Sequence, residues 1–169
     1  MSNLELTIER MGHGGVGIGT AADGRVVFVS STYPGDRVRA QITKEKKSFI
    51  AAEVVSVLEP SSFRTQPRCP AAAVGAGCCD FATLDFEHEA DLKRKVFEDQ
   101  LQRIGKFTVA ELPQVVTQNL EPAHGWRTRV RFGVDDNGRA GLRKKNSHEL
   151  VTEHACTQLV DGLASGIVG

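Results

Sequence analysis

The chain has 169 residues, a length that suits one domain of ordinary size or two small ones. Its 21 basic and 21 acidic residues balance, so net charge points to no class of partner, and a hydrophobic content of 40% is typical of soluble proteins. No apolar run approaches the roughly 20 residues that span a bilayer, and the N-terminus lacks the basic and apolar regions of a signal peptide. We therefore expect a cytoplasmic protein with no membrane partner.

Residues 1–60 are predicted to form five short strands separated by turns such as AADG and YPGD. LELTIER alternates apolar and polar residues, GHGGVGIG is a loop that reopens into a strand, and RVVFV, DRVRAQITKEK and FIAAEVVSVLE follow. Strands at intervals of about 8 to 12 residues are typical of a small closed β-barrel. Five basic residues cluster on one of these strands and the turn after it: Arg37, Arg39, Lys44, Lys46 and Lys47.

The stretch EPSSFRTQPRCP contains three prolines and predicts a linker, so we place a domain boundary between residues 1–60 and 61–169. Beyond it, residues 85–104 predict an amphipathic helix that stops at Gly105. Acidic residues in its first turns suit the positive end of the helix dipole. Its apolar stripe consists of Leu92, Val96, Phe97, Leu101 and Ile104. With further strands after the helix, the chain is expected to be mainly β with some α, an α+β fold.

A basic patch lies between Arg127 and Lys145, where seven basic residues stand against two acidic ones. WRTRVRFGVDD predicts a strand, DDNG a hairpin turn and NGRAGLR the next strand. Because side chains alternate along a strand, Arg127, Arg129 and Arg131 are all expected on one face. Such a face can follow a phosphate backbone, or it can be a solvated sheet surface. The candidate phosphate-binding residues here are Arg127, Arg129, Arg131, Arg143, Lys144 and Lys145.

Two aromatic residues near the basic segments, Trp126 and Phe49, are candidates for stacking on nucleic-acid bases. Residues of this type more often pack in a core or at a sheet edge. The aromatic residues alone therefore do not decide whether the chain binds nucleic acid.

Four cysteines raise the question of a metal site. Three of them lie within RCPAAAVGAGCCDF, and the fourth is expected at the end of a strand. In a reducing cytoplasm such cysteines are metal ligands or free thiols before they are disulfides. A glycine-rich loop with one distant residue suits zinc or an iron–sulfur cluster, but adjacent cysteines are an unusual ligand pair. A metal site and a set of buried structural thiols remain alternatives for Cys69, Cys78, Cys79 and Cys156.

Taken together, these stretches resemble a known family. The small barrel, the turn YPGD, the basic KEKKSF and then RCP with its glycine and cysteine loop are similar to a TRAM domain leading into the central domain of RNA uridine-5-methyltransferases. The later segment WRTRVRFGVDDNGRAGLRKKNSHELVTEHAC is similar to a second signature of that family. The resemblance covers essentially the whole chain. It implies an OB-like, five-stranded TRAM barrel followed by part of an α+β central domain.

The resemblance also implies site residues and cofactors. The TRAM barrel of such enzymes binds structured RNA, and the central domain holds a [4Fe–4S] cluster on four cysteines, for which zinc is the alternative. Cys69 matches the first ligand, Cys78 the third and Cys156 the fourth, while Gly75 stands in the second position and Cys79 is the nearest substitute. The catalytic domain that binds S-adenosylmethionine would follow this sequence, which stops partway into a predicted helix.

We therefore expect the RNA-recognising N-terminal part of an S-adenosylmethionine-dependent RNA 5-methyluridine methyltransferase, with ribosomal or transfer RNA as its partner. The 169 residues are not expected to methylate RNA by themselves. An alternative is a stand-alone metal- or redox-responsive nucleic-acid-binding protein without catalytic activity. A third possibility is a barrel-plus-helix domain whose thiols are structural.

Overall fold

The computed structural model describes residues 2–112, 114–163 and 165. Its contacts divide the chain into two compact units, one made of Met1–Arg64 and Leu84–Gln118 and the other of Thr65–Thr83 and Asn119–Gly169. This division groups the long helix with the first unit, whereas the sequence suggested that it belongs with residues 61–169. The domain boundary at residue 60 stays a prediction. In the described residues, no helix has both the length and the apolar character needed to cross a membrane.

The first unit contains six strands: β1 (Asn3–Thr7), β2 (Arg10–Met11), β3 (Gly17–Thr20), β4 (Val26–Ser30), β5 (Arg37–Glu45) and β6 (Phe49–Glu59). They form one sheet in the order β1-β5-β6-β4-β3-β2. Neighbouring strands are antiparallel except for β4 and β6, which run parallel. The predominantly β class is therefore confirmed.

The stretch predicted as one strand, LELTIER, forms two. The break comes at Ile8 and Glu9, whose N–H groups donate to the carbonyl oxygens of Asp36 and Ile18, both at 2.8 Å. Ile8 thus hydrogen-bonds to the turn before β5, while Glu9 hydrogen-bonds to β3. The chain changes partner between adjacent residues, which is why five predicted strands correspond to six in the described first unit.

The core of the barrel is built from alternate residues of the longer strands, as the period-2 pattern predicts. On β4 and β5, Val27, Val29 and Val38 are fully buried, and complete burial of a side chain of this size contributes about 1.5–3 kcal/mol. The buried cluster consists of Leu6, Ile8, Val27, Val29, Val38, Ala40, Ile50 and Ala52.

A glycine on β3 allows β1 to approach closely. A Cβ atom added at Gly19 would lie 2.5 Å from the Thr7 carbonyl oxygen and 2.8 Å from a methyl carbon of Leu6. Contacts this short with backbone are not tolerated, so only glycine fits at this position. Glycine inside a strand often marks such a close approach of another backbone.

A buried ion pair ties the end of the barrel together. Asp36 is 0% exposed, and its carboxylate accepts hydrogen bonds from the backbone N–H groups of Tyr33 at 2.6 Å and Ser61 at 2.9 Å. Arg64 donates to both carboxylate oxygens, at 2.7 and 2.8 Å. The same guanidinium donates to the Ser31 carbonyl oxygen at 2.9 Å and lies 4.9 Å from the Tyr33 ring centroid. We call this set of contacts the Asp36–Arg64 clamp.

The predicted helix is confirmed as α2 (Phe86–Arg103), which follows the short helix α1 (Pro70–Ala73). Its N-cap is Asp85, whose side chain accepts from the Glu87 N–H at 3.1 Å. Two contacts fix where the helix starts: the Asp85 N–H donates to the Phe63 carbonyl oxygen at 2.8 Å, and Leu84 forms a β-bridge with Arg64. Of the predicted apolar stripe, Leu92 is buried, but Phe97 is 50% and Ile104 73% exposed.

The second unit has a three-stranded sheet of β7 (Gly133–Val134), β8 (Ala140–Arg143) and β9 (Leu150–Val151) in that order. The predicted hairpin turn is confirmed, because the Gly138 N–H donates to the Asp135 carbonyl oxygen at 2.9 Å. The strand predicted for WRTRVRFGVDD is mostly wrong, since only its β7 part pairs with β8. A small apolar cluster lies beneath this sheet: Cys69, Ala71, Ala76, Leu142, Val151, Cys156 and Leu159.

Replacing Asp36 with asparagine should destabilise the first unit by about 3–5 kcal/mol, the usual effect of removing one partner from a buried ion pair. The Asp36→Asn variant keeps the size of the side chain but leaves the guanidinium of Arg64 without its counter-charge. Chemical denaturation followed by circular dichroism measures the change. Asp23→Ala is the control, because Asp23 pairs with Arg25 in an exposed turn and its loss should change stability far less than the loss of Asp36. Equal effects of the two variants would contradict the clamp.

Candidate nucleic-acid interface

Two of the five predicted phosphate-binding residues of the barrel are already paired with carboxylates. Arg39 lies opposite Glu5 in the register of β5 and β1, and its guanidinium approaches that carboxylate at 2.7 Å. Arg37 forms ion pairs with Glu59 at 2.7 Å and with Glu5 at 3.3 Å. Hydrogen bonding and charge from Arg39 lower the pKa of Glu5, while Glu59 raises the pKa of Arg37. The positive charge at this end of β5 is therefore compensated.

The other three residues lie at the opposite end of β5 and in the turn that leads to β6. The side chains of Lys44, Lys46 and Lys47 are exposed and form no ion pair with any residue that the structure describes. The turn itself is well held, because the Lys46 N–H donates to the Phe49 carbonyl oxygen at 2.9 Å. Arg25 also donates to the Lys46 carbonyl oxygen at 3.1 Å. We call these three residues the lysine turn.

An aromatic pair lies beside the lysine turn. The rings of Phe28 and Phe49 meet edge to face with centroids 5.8 Å apart, and both residues are half-buried. Phe49 therefore packs on the surface of the sheet, which is the commoner of the two roles that the sequence allows for it.

In the second unit, the arginine segment shows the predicted alternation only from Arg129 to Phe132, and it does not form a strand. Val130 and Phe132 pack against the apolar cluster, and Arg129 and Arg131 are exposed. Arg127 forms a parallel β-bridge with Leu159. The alternation from Arg129 to Phe132 arises because Val130 and Phe132 face the core. In this part of the described chain, only Arg127 forms a β-bridge.

The basic hairpin contributes less free charge than its sequence suggests. Lys144 pairs with Glu149 at 2.7 Å, which raises the pKa of the lysine, and Lys145 pairs with Asp80 at 3.0 Å. Arg143 donates to Nδ1 of His148 at 2.7 Å. All three predicted residues therefore make contacts that help to hold the hairpin and the cysteine loop in place.

The cysteines differ in exposure but belong to one region of the second unit. Cys69 and Cys156 are buried, Cys79 is partly buried and Cys78 is exposed. Loss of hydration, together with the charges of the other three thiols, raises the pKa of Cys78 to about 11. Burial opposes ionisation of Cys69, but hydrogen bonds from Thr157 and from backbone N–H groups outweigh it and lower the pKa of that thiol. Cys69 and Cys156 both belong to the buried apolar cluster of the second unit.

The structure does not support the predicted metal site. Within residues 2–112, 114–163 and 165, no group of three or more His, Cys, Asp or Glu side chains could hold a metal ion. Cys156 lies in a turn beyond β9 and not at the end of a strand. Gly75, in the position of the second ligand, has a φ of +100°, a conformation that cysteine rarely adopts. The described residues thus offer no ligand group for a four-thiolate cluster or a zinc ion, and the conformation of Gly75 disfavours a thiol at that position.

Main-chain contacts close the cysteine loop instead. Ala76 forms an antiparallel β-bridge with Lys144, and the Gly77 N–H donates to the Arg143 carbonyl oxygen at 2.9 Å. The approach is close, since a Cβ at Gly77 would lie 2.5 Å from the Lys145 Cα. The loop thus continues the sheet of the second unit along the edge of the basic hairpin.

Treating anaerobically purified protein with a metal chelator should leave its thermal midpoint unchanged, because hydrogen bonds close the loop. Elemental analysis for iron and zinc accompanies the melting curve. Gly77→Ala should lower the midpoint, since the added methyl group collides with the Lys145 backbone. A midpoint that falls as iron or zinc leaves the protein would establish a metal site and overturn this expectation.

Comparison with known proteins identifies the barrel. Residues 4–63 match the family model described as "tRNA (uracil(54)-C(5))-methyltransferase, TRAM domain". The solved tRNA (uracil-54, C5)-methyltransferase of Pyrococcus abyssi, in complex with S-adenosyl-L-homocysteine, superposes with a TM-score of 0.63 over 96% of this chain and 34% of its own. Its sequence identity is 20%, so this likeness concerns the fold alone.

Two curated relatives match over nearly the whole chain. An uncharacterized RNA methyltransferase of Corynebacterium glutamicum is 52% identical over 98% of this chain and 40% of its own length. The 23S rRNA (uracil(1939)-C(5))-methyltransferase of Halomonas elongata is 36% identical over 95% of this chain and 33% of its own. The chain thus spans two fifths or less of either relative.

Residues 4–63 are thus similar to a TRAM domain, and a second, cysteine-containing unit accompanies them. More particularly, the similarity is to the TRAM domain of the tRNA and rRNA uracil-C5-methyltransferase family, and relatives named as RNA methyltransferases match nearly the whole chain. The family resemblance predicted from the sequence is confirmed.

Proposed function

We propose that these 169 residues form the RNA-recognising part of an S-adenosylmethionine-dependent RNA 5-methyluridine methyltransferase that acts on ribosomal or transfer RNA. The match of residues 4–63 to the TRAM domain of a tRNA uracil-C5-methyltransferase is the observation that carries this proposal. Relatives named as RNA methyltransferases extend it to the second unit, since they match over 95–98% of the chain. The stand-alone metal-responsive alternative is not favoured by these relatives.

The methyl transfer itself would belong to the part of the relatives that this chain does not cover. That part would bind S-adenosylmethionine, the methyl donor whose demethylated product is bound in the Pyrococcus neighbour. The residues described here would hold the RNA so that its target uridine reaches the donor.

The lysine turn suits RNA because it brings three exposed ammonium groups together within four residues. Lys44 lies at the end of β5, and Lys46 and Lys47 lie on the hydrogen-bonded turn that follows. Lysines without a protein counter-charge can neutralise phosphates and release bound cations into solution. Arginines that are already paired, such as Arg37 and Arg39, would first have to give up their carboxylate partners. We therefore assign the main phosphate contacts of the barrel to Lys44, Lys46 and Lys47.

RNA binding should weaken steeply as salt concentration rises. Fluorescence anisotropy with a labelled, unmodified tRNA transcript or rRNA hairpin measures the affinity at several salt concentrations. Each phosphate contact contributes about 0.7–0.9 to the slope of log affinity against log salt. An affinity that does not change with salt would contradict the proposal.

Replacing Lys46 and Lys47 together with alanine should reduce both the affinity and the salt slope, the slope by about 1.4–1.8 for two lost contacts. The control is the double change Lys93→Ala and Lys95→Ala on α2, which alters the net charge equally and lies on the same unit. The same anisotropy series serves both variants. If the control weakened binding as much as the turn variant, general charge and not the lysine turn would explain the attraction.

A further inference from the structure

Trp126 is an exposed aromatic residue in a part of the second unit that is otherwise firmly anchored. It is the only tryptophan in the chain, and 55% of its surface faces solvent. Tryptophan is usually well buried, because its large ring gains much from leaving water. Its exposure here means that the packing of the second unit does not account for this residue.

The backbone on both sides of Trp126 is fixed. The N–H of Gly125 donates to the Thr157 carbonyl oxygen at 3.1 Å, and that of Arg127 donates to the Gln158 carbonyl oxygen at 2.6 Å. Arg127 also accepts from the Val160 N–H at 3.1 Å. An indole held between anchored neighbours loses little conformational entropy when a ligand covers it.

The surroundings of the ring are cationic. The guanidinium carbon of Arg127 lies 5.2 Å from the centroid of the indole, within the range of a cation–π contact. Arg129 and Arg131 follow on the same extended segment, are exposed, and form no ion pair in the described chain. A polyanion with flat rings complements this combination of an aromatic face and arginines.

We propose that Trp126, flanked by Arg127, is a stacking site for one unpaired base of the bound RNA. The inference deepens the proposed function and rests on it. The indole offers a π-face to the base, while the exposed Arg129 and Arg131, three and five residues further along the chain, would contact phosphates of the same RNA. Stacking requires no particular base, so the site would select for single-stranded RNA and not for a sequence.

The sole tryptophan makes the site directly observable. Stacking of a base on the indole should quench its fluorescence, and the quenching should saturate over the same RNA concentrations as the anisotropy signal. A hairpin with an unpaired loop should quench, and a fully paired duplex of equal length should bind without quenching. The measurement uses the 169-residue chain and the two RNAs alone.

Substitutions complete the test. Trp126→Leu keeps an apolar side chain but removes the aromatic face, and it should weaken binding to the loop RNA by about 5- to 100-fold. Trp126→Phe should restore most of that loss, and Val134→Ala, at another exposed apolar residue of the same unit, should leave the affinity unchanged. Circular dichroism of each variant confirms that the protein remains folded.

The outcomes separate this inference from the proposed function. If the RNA binds with undiminished fluorescence and Trp126→Leu binds equally well, the stacking site is refuted while RNA recognition stands. If no RNA binds at all, the proposed function fails and the stacking site falls with it. Quenching by loop RNA together with the loss in Trp126→Leu establishes the site.

Discussion

A buried carboxylate needs hydrogen-bond donors, and Asp36 obtains them by joining three parts of the first unit. Its donors come from Tyr33 in the turn before β5, from Ser61 just beyond β6, and from Arg64. Because Leu84 then bridges to Arg64 and Asp85 hydrogen-bonds to Phe63, the same point fixes where the chain returns to begin α2. The Asp36–Arg64 ion pair therefore connects the turn before β5, the segment after β6 and the start of α2.

Some basic residues of this protein are paired with carboxylates and others are not, and the amino-acid composition does not distinguish the two groups. Arg37, Arg39, Lys144 and Lys145 lie near carboxylates and help to hold strands and loops in register. The lysine turn and the pair Arg129 and Arg131 have no such partners in the described chain. A count of basic residues therefore overstates the cationic surface, and only the ion pairs show which residues remain available to a phosphate.

The sequence predicts much of the fold because its local signals agree with one another. The Asp85 cap and the apolar spacing predict α2, and the DDNG turn predicts the hairpin of the second unit. The break at Ile8 and Glu9 was not predictable, because it depends on distant partners, Asp36 and Ile18. For the same reason the sequence could not show that Arg39 is neutralised by Glu5, a residue 34 positions away. The predicted metal site was not found because the four cysteines do not form a ligand group in the described residues, and sequence spacing alone does not reveal how side chains are grouped.

The left-handed backbone at Gly75 also constrains how this loop could evolve. With a φ of +100°, the position accepts glycine readily and penalises any residue that carries a Cβ atom. A single codon change that introduced a thiol there would strain the chain before any metal could compensate. A second ligand at position 75 would therefore require a different course of the loop between α1 and Cys78.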